Sequence, residues 1–316
     1  MRNEERNMKR MALVLALMVC MLLACSAAAE EITFQGKFTC DINAEYIDLG
    51  KVRVQDMDAF VKFLRRMPNL KKVDMFNTNV YSKDIDVLAA AFPDIEFGWT
   101  MRIGDHWVRT DATAFSTLHN NRSPQHTERN FANLKYCKNL LALDIGHNQV
   151  KDLSFLYDLP NLKVLILACQ IELRDITPIG SLKNLEYLEL FKNDIHDISC
   201  LKNCTNLIDL NLCFNRIKDW TPLLGLSKLE RLWLFNSNNW SDEYPVDKQV
   251  VNDLKAALPD CHVDEKSYST MGGWREHERY YVIYHMFKHG EYIPFDRGAE
   301  IQALYPNGIN LNGPGY

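Results

Sequence analysis

The feature that most constrains this fold is a leucine pattern that recurs at a nearly constant interval through the middle of the chain. Its copies begin at Asn139, Asn161, Asn184, Asn206 and Lys228. Each copy carries leucine-type residues at alternate positions, and in most an Asn follows. One such unit cannot bury its own apolar face, so the pattern predicts coils stacked on one another.

Each repeated position has a physical role. Alternate leucines such as Leu188 and Leu190 predict a short strand whose side chains point inward. The Asn after the strand, Asn193 in this copy, can bond backbone groups of neighbouring coils. The segments that close each coil are too brief for α-helices and predict extended or 3₁₀ turns. We therefore expect an α/β solenoid with a parallel sheet on its concave side and short convex turns.

Helices are predicted only in the terminal coils. Phe60, Phe63, Leu64 and Met67 repeat at helical spacing and end before Pro68, and a second helix through Leu88 ends at Pro93. The strand pattern of Leu70, Val73 and Met75 is matched one repeat length later by Phe92, Ile95 and Phe97.

Two further elements adjoin the central repeats. A hairpin over residues 97–109 turns at Gly104-Asp105, and a strand lies near Phe115 whose register the sequence leaves open. Residues 254–263 echo residues 88–97, so a further coil is predicted there.

The C-terminal part predicts one helix. Tyr280, Ile283, Tyr284 and Phe287 repeat at helical spacing. Solenoid ends expose apolar core, so this helix is expected to be part of a cap. The alternative is a second interaction patch that includes Trp274, Arg275 and His277. The predicted domains are an N-terminal cap (30–68), a solenoid (69–265) and a C-terminal cap and tail (266–316).

Residues 184–201 resemble the 22-residue class of bacterial leucine-rich repeats typified by the internalins. The resemblance covers residues 131–236 well and residues 45–118 loosely. It implies protein recognition on the concave strand face, outside the cell. Residues 269–284, with residues 110–119, resemble segments of uncharacterised secreted repeat proteins of Gram-positive bacteria, which imply no activity. A wall-anchoring tail like that of the internalins is not recognisable.

The first residues predict export. A basic stretch ending at Arg10 precedes the apolar run Met11 to Ala24, which is short for a membrane span and typical of a signal peptide. Two cleavage sites remain open. Cleavage before Cys25 would make a lipoprotein with Cys25 lipidated, and cleavage after Ala29 would release a secreted protein. The membrane is expected as a partner only through the signal or this lipid anchor.

The concave face can be predicted by counting, because outward positions flank the inward leucines. In the last three coils it carries aromatic rings beside carboxylates and an arginine, a composition typical of interface centres. The predicted ligand-binding residues are Tyr187, Glu189, Phe191, Asp209, Asn211, Arg231, Trp233 and Phe235. The expected ligand is a protein or peptide bound to a monomer. One alternative is a carbohydrate or cell-wall ligand, and another is that the segment after residue 265 covers these rings.

Other chemistry is not predicted. The net charge of −5 argues against nucleic acid as the main partner. Cys137, Cys200 and Cys204 are expected to be small buried apolar residues, because their places in the coils are unsuited to disulfides. His147 and His196 lack further ligands at metal spacing, and Glu189 with Asp209 is interpreted as a pair of ordinary strand-face charges. We expect no enzyme activity, no metal and no cofactor.

Overall fold

The computed structural model describes residues 30–117, 126–235, 237–239, 242–243, 246–267, 270 and 273–309. They form two compact units that divide between Trp99 and Thr100. This division falls inside the predicted solenoid range of 69–265, and the predicted boundaries at residues 68 and 265 stay predictions.

Within residues 30–99, the first unit contains five strands and two helices: β1 (Glu31–Phe34), β2 (Phe38–Asp41), β3 (Tyr46–Asp48), α1 (Met57–Leu64), β4 (Lys72–Asp74), α2 (Ser82–Ala91) and β5 (Glu96–Gly98). The second unit contains the remaining strands and helices: β6 (Thr100–Ile103), β7 (His106–Arg109), β8 (Ala114–Ser116), α3 (Glu128–Phe131), β9 (Ala142–Asp144), β10 (Val164–Ile166), β11 (Tyr187–Glu189), β12 (Asp209–Asn211), β13 (Arg231–Trp233), β14 (Ser237–Asn239), β15 (Asp242–Glu243), α4 (Lys248–Ala257), β16 (His262–Asp264), α5 (Glu278–His289) and α6 (Gly298–Ala303).

Helical coils in the first unit are longer than the sequence pattern suggested. Strands β3, β4 and β5 form a parallel sheet in which Ile47 pairs with Val73 and Val73 with Phe97. The predicted match of Val73 with Ile95 is therefore wrong by two positions. An α-helix such as α2 contains more residues than a short 3₁₀ turn. A coil that includes such a helix is therefore longer than the repeat length of the central coils.

The second unit contains a parallel sheet of seven strands, in the order β8, β9, β10, β11, β12, β13, β16. Leu143, Leu165, Leu188, Leu210 and Leu232 are aligned across it, and each is fully buried. Phe115 pairs with Leu143 and Val263 with Leu232, which settles the register near Phe115 and confirms the coil at 254–263.

Polar side chains and short turns complete each coil. The Asn193 amide donates to the carbonyls of Leu167 (3.0 Å) and Leu190 (2.9 Å), and Asn215 repeats this arrangement one coil on. These bonds join neighbouring coils along the stack, as predicted. The convex segments are 3₁₀ helices: Ala132–Tyr136, Ser154–Asp158, Thr177–Ser181, Ser199–Asn203 and Thr221–Leu223.

The described cysteines are free thiols. Cys137 and Cys204 are fully buried among apolar residues, as predicted, whereas Cys200 is only partly buried. The Cys200 Sγ lies 3.2 Å from the Ile176 carbonyl of the preceding coil. Cys25 lies outside the described residues, and so does the whole predicted signal segment.

Candidate binding site

The C-terminal segment, residues 273–309, packs against the concave face of the second unit's sheet. Its apolar side chains form one cluster with outward-facing residues of the strands. The segment contributes Trp274, Tyr280, Val282, Ile283, Met286, Phe287, Ile293 and Ile301, and the sheet contributes Ala114, Ala142, Val164, Ile166, Ala168, Tyr187, Cys213 and Trp233. The predicted helix is α5, but it lies along the strand face, so its role is wider than capping one end of the stack.

A buried ion network fixes the segment at β12 and β13. Asp209 accepts two hydrogen bonds from Arg231 of the next coil (2.8 and 2.6 Å) and two from Arg279 of α5 (both 2.8 Å). Arg279 also donates to Glu230 at 2.6 Å. Burial by itself would raise the pKa of the Asp209 carboxyl, but the hydrogen bonds and charges of the two arginines hold it below the usual value. The Asp209 carboxylate is thus ionised and fully paired at neutral pH.

Trp274 is the central anchor of the segment. It is fully buried, and its ring lies 5.4 Å from that of Tyr187 and 5.2 Å from that of Trp233. Its indole Nε1 donates to Glu189 Oε2 at 3.1 Å, and the Arg231 guanidinium sits 4.5 Å from its ring. Buried tryptophan in such a setting combines a large apolar area with one directed polar contact.

Two further buried carboxyls, Glu189 on β11 and Asp144 on β9, have fewer charged partners to offset their burial. Burial raises the pKa of Glu189 despite the opposing charge of Arg275 and the hydrogen bonds from Trp274 and Tyr187. Burial also raises the pKa of Asp144 to about 7, and the charge of Glu189 adds to this rise. Asp144 accepts hydrogen bonds from the Gly146 amide (3.0 Å) and the Ser116 hydroxyl (3.4 Å), which only partly offset the burial.

The prediction of an open concave surface is corrected by this packing. Six of the eight predicted residues are buried: Tyr187, Glu189, Asp209, Asn211, Arg231 and Trp233. All of them except Asn211 have a contact with the C-terminal segment among those described. Glu189 and Asp209 are not the solvated charges expected from the sequence but parts of the core. An apolar strip of this size is more stable when covered, and the chain supplies its own cover. The alternative that the tail covers these rings describes the arrangement correctly.

Phe191 and Phe235 are the two predicted residues that remain partly exposed. Phe214, which the sequence analysis did not select, lies between them. Its ring centroid is 5.6 Å from that of Phe191, edge to face, and 5.3 Å from that of Phe235. We call these three side chains the aromatic rim. They lie at the edge of the covered face, where the chain leaves each strand.

Backbone geometry explains why Phe214 was missed. It has a positive φ of 56°, and His147, Cys169 and Lys192 at the equivalent place in three other coils have φ values of 57–60°. This left-handed residue ends the alternation of the strand, so counting inward and outward positions fails at Phe214 itself. The Phe214 amide donates to the Phe235 carbonyl at 2.8 Å, which ties this turn to the next coil.

Comparison with known proteins agrees with this architecture. Residues 183–225 match the family model for leucine-rich repeats (2 copies). The coils within residues 183–225 are leucine-rich repeats. The match and the aligned strands confirm the predicted leucine-rich repeats and the predicted α/β solenoid. No curated protein matches the chain.

Three solved structures are similar to parts of the chain. Internalin C2 of Listeria monocytogenes is 27% identical, with a TM-score of 0.35, over 48% of this chain and 69% of its own. The internalin inlF of the same species is 19% identical, with a TM-score of 0.34, over 69% and 72%. The Arabidopsis receptor kinase HAESA, solved with the peptide hormone IDA and the co-receptor SERK1, is 19% identical, with a TM-score of 0.32, over 68% and 29%.

Among the helices that the structure describes, none has the length and apolar character needed to cross a bilayer.

Proposed function

We propose that this chain is an exported protein-interaction module that binds a protein or peptide through its aromatic rim. The observation that carries the proposal is the row formed by Phe191, Phe214 and Phe235 on three consecutive coils. Each ring is partly exposed although it packs against the cluster that the C-terminal segment covers. Clustered aromatic side chains of this kind are enriched at the centres of protein interfaces.

The covered face itself is a poor candidate for a partner's contact. A partner that displaced the C-terminal segment would expose Trp274, Tyr280 and Met286, which are at most 4% accessible. It would also separate Arg279 from Asp209, and breaking a buried ion pair typically costs about 3–5 kcal/mol. The proposal therefore keeps the segment in place and assigns recognition to the rim beside it.

A glycan or cell-wall ligand is the weaker alternative. Sugar rings stack on flat aromatic faces, whereas Phe191 and Phe214 meet at 89° and Phe214 and Phe235 at 55°. The indole of Trp233, the residue best suited to sugar stacking on the predicted face, is buried against Trp274 and His262. These ring orientations fit the protruding side chains of a protein surface better than the face of a sugar ring.

Capture experiments test the rim. Wild-type protein and Phe214→Ala would be used as baits against host-surface and bacterial-surface protein extracts, with Tyr157→Ala as the matched control. Tyr157 is an aromatic residue 56% exposed on a convex 3₁₀ segment. We expect Phe214→Ala to weaken binding of the captured partner by about 10-fold or more, as for an interface hot spot. Equal binding by all three baits would contradict the rim proposal.

Two further measurements address the other parts of the proposal. A glycan array probed with the same baits would overturn protein recognition if Phe214-dependent binding occurred only there. Export is tested by mass spectrometry of the mature N-terminus and by labelling with a palmitate analogue, with and without Cys25→Ala. Export would be contradicted if the protein stayed in the cell fraction and retained residues 1–29.

A further inference from the structure

The turn of the β6–β7 hairpin brings two potential metal ligands to the first coil of the sheet. Ile103 pairs with His106, so Gly104 and Asp105 form a two-residue turn. His126 meets this turn from the chain segment that precedes α3. Its backbone is held by the next coil, because its amide donates to Asn148 Oδ1 and its carbonyl accepts from the Gln149 amide, both at 2.8 Å.

The three side chains converge on one point. Asp105 Oδ1 lies 3.2 Å from His126 Nε2 and 3.3 Å from His106 Nε2, and one donor atom from each residue lies within 4.8 Å of the others. With zinc–nitrogen and zinc–oxygen bonds of about 2.0–2.2 Å, neighbouring ligands of a tetrahedral ion stand roughly 3.3 Å apart. The two distances from Asp105 match this value, and the third donor pair lies within 4.8 Å.

The glycine of the turn makes room for this arrangement. Gly104 has a φ of +60°, and a Cβ placed on it would lie 2.0 Å from His126 Cε1. Any other residue would therefore push the imidazole away from Asp105. Only Gly both tolerates the left-handed turn and lets the ring approach the backbone so closely.

The burial of the ligands suits a bound ion with limited access. The His126 side chain is 4% exposed and that of His106 is 14% exposed, whereas the Asp105 carboxylate is 32% exposed. His106 also lines an open groove shared with Ala114, Phe287 and Gly290. An ion can enter from this side and complete its coordination with water.

We propose that Asp105, His106 and His126 form a binding site for a divalent transition-metal ion of the zinc class. Two imidazoles and one carboxylate are the ligand types that such ions take, and three protein ligands leave one position for water. The proposal departs from the sequence-based expectation of no metal, which considered His147 and His196 only. A bound metal ion would hold the β6–β7 hairpin at the β8 end of the seven-stranded sheet.

The competing arrangement is an aspartate hydrogen-bonded to two histidines without any ion. Titration of the chelator-treated, untagged full chain with zinc chloride in a calorimeter separates the two. We expect one equivalent of zinc to bind, a rise in melting temperature on binding, and visible absorption bands of tetrahedral cobalt when Co²⁺ replaces zinc. Absence of binding by the folded wild-type chain would overturn the proposal.

Variants then locate the ion. Asp105→Asn, at the exposed turn, and His106→Gln should each lose more than the roughly 10–100-fold in affinity that follows loss of an outer-shell partner. His289→Gln is the matched control, because the His285 and His289 rings lie 4.3 Å apart and form the rival histidine pair. Zinc binding unchanged in both ligand variants, or abolished in the His289 control, would place the ion elsewhere and refute the site. Circular dichroism verifies that each variant is folded.

Discussion

The C-terminal segment packs against the concave face from β8 to β13, but different contacts hold it at the two ends of this span. At β12 and β13, Arg279 reaches Asp209 through charge-assisted hydrogen bonds, inside a network completed by Arg231. At β8 and β9, the contacts of α5 are mainly apolar, and Met286 packs in one cluster with Ala114 and Ala142. Apolar contact is non-directional, whereas bidentate arginine–carboxylate pairs fix position and orientation. We infer that the ionic end sets the register of the segment and the apolar end adds stability.

The buried carboxyls differ in the same way. Asp209 has two arginines and a lowered pKa, whereas the pKa of Asp144 is raised to about 7 because burial dominates its environment. One carboxyl therefore stabilises the folded unit as an anion, and the other opposes folding once it ionises. This contrast can be tested by replacing either carboxyl with an amide.

The largest effect is expected for Asp209→Asn. The amide keeps the size of the side chain but leaves Arg231 and Arg279 buried without their anion, so the free energy of unfolding should fall by about 3–5 kcal/mol. Urea unfolding followed by tryptophan fluorescence measures this loss, and hydrogen exchange should show faster opening of α5. A loss below about 1 kcal/mol, the range of exposed ion pairs, would mean that the network does not hold the segment.

Asp144→Asn should have a smaller effect of opposite sign. A carboxyl whose pKa is raised on folding contributes its full stability only below its unfolded pKa, and this contribution is lost as pH rises through the folded value near 7. The variant lacks this loss, so at pH 8 it should be more stable than the wild type by roughly 1–3 kcal/mol, with the difference shrinking towards pH 4.

An internal precedent indicates that asparagine fits at this position. Asn211 occupies the equivalent place on β12, and its Oδ1 accepts from the Cys213 amide at 3.0 Å, just as Asp144 Oδ1 accepts from Gly146. Unfolding curves for wild type and variant at several pH values check the prediction. A stability difference independent of pH would show that ionisation of Asp144 is not its cause.

The sequence predicts the coils well because their stabilising contacts repeat. Leu188 has a counterpart in every neighbouring coil, so its burial follows from period alone, and so does the role of Asn193. The cover over Tyr187 and Asp209 involves residues such as Trp274 and Arg279 that occur once and lie 70 or more positions away. No periodic pattern indicates that Arg279 will meet Asp209 or that His126 will meet Asp105. The cover could be proposed from the sequence as an alternative, but the single contacts that form it could not be located, and the contact of His126 with Asp105 was not proposed.

The smallest effect is expected at the apolar end, for Met286→Leu. Met286 is fully buried in the cluster with Ala114 and Ala142, and a swap that conserves volume and polarity usually costs less than about 1.5 kcal/mol. The same urea titration measures it beside Asp209→Asn. If the two ends differ as inferred, the apolar end tolerates a conservative exchange and the ionic end does not. Side chains can repack around a replaced methionine. A buried arginine that loses its carboxylate has no second anion to pair with. A loss in Met286→Leu as large as that in Asp209→Asn would mean that shape at β8 and β9, and not charge at β12, positions the segment.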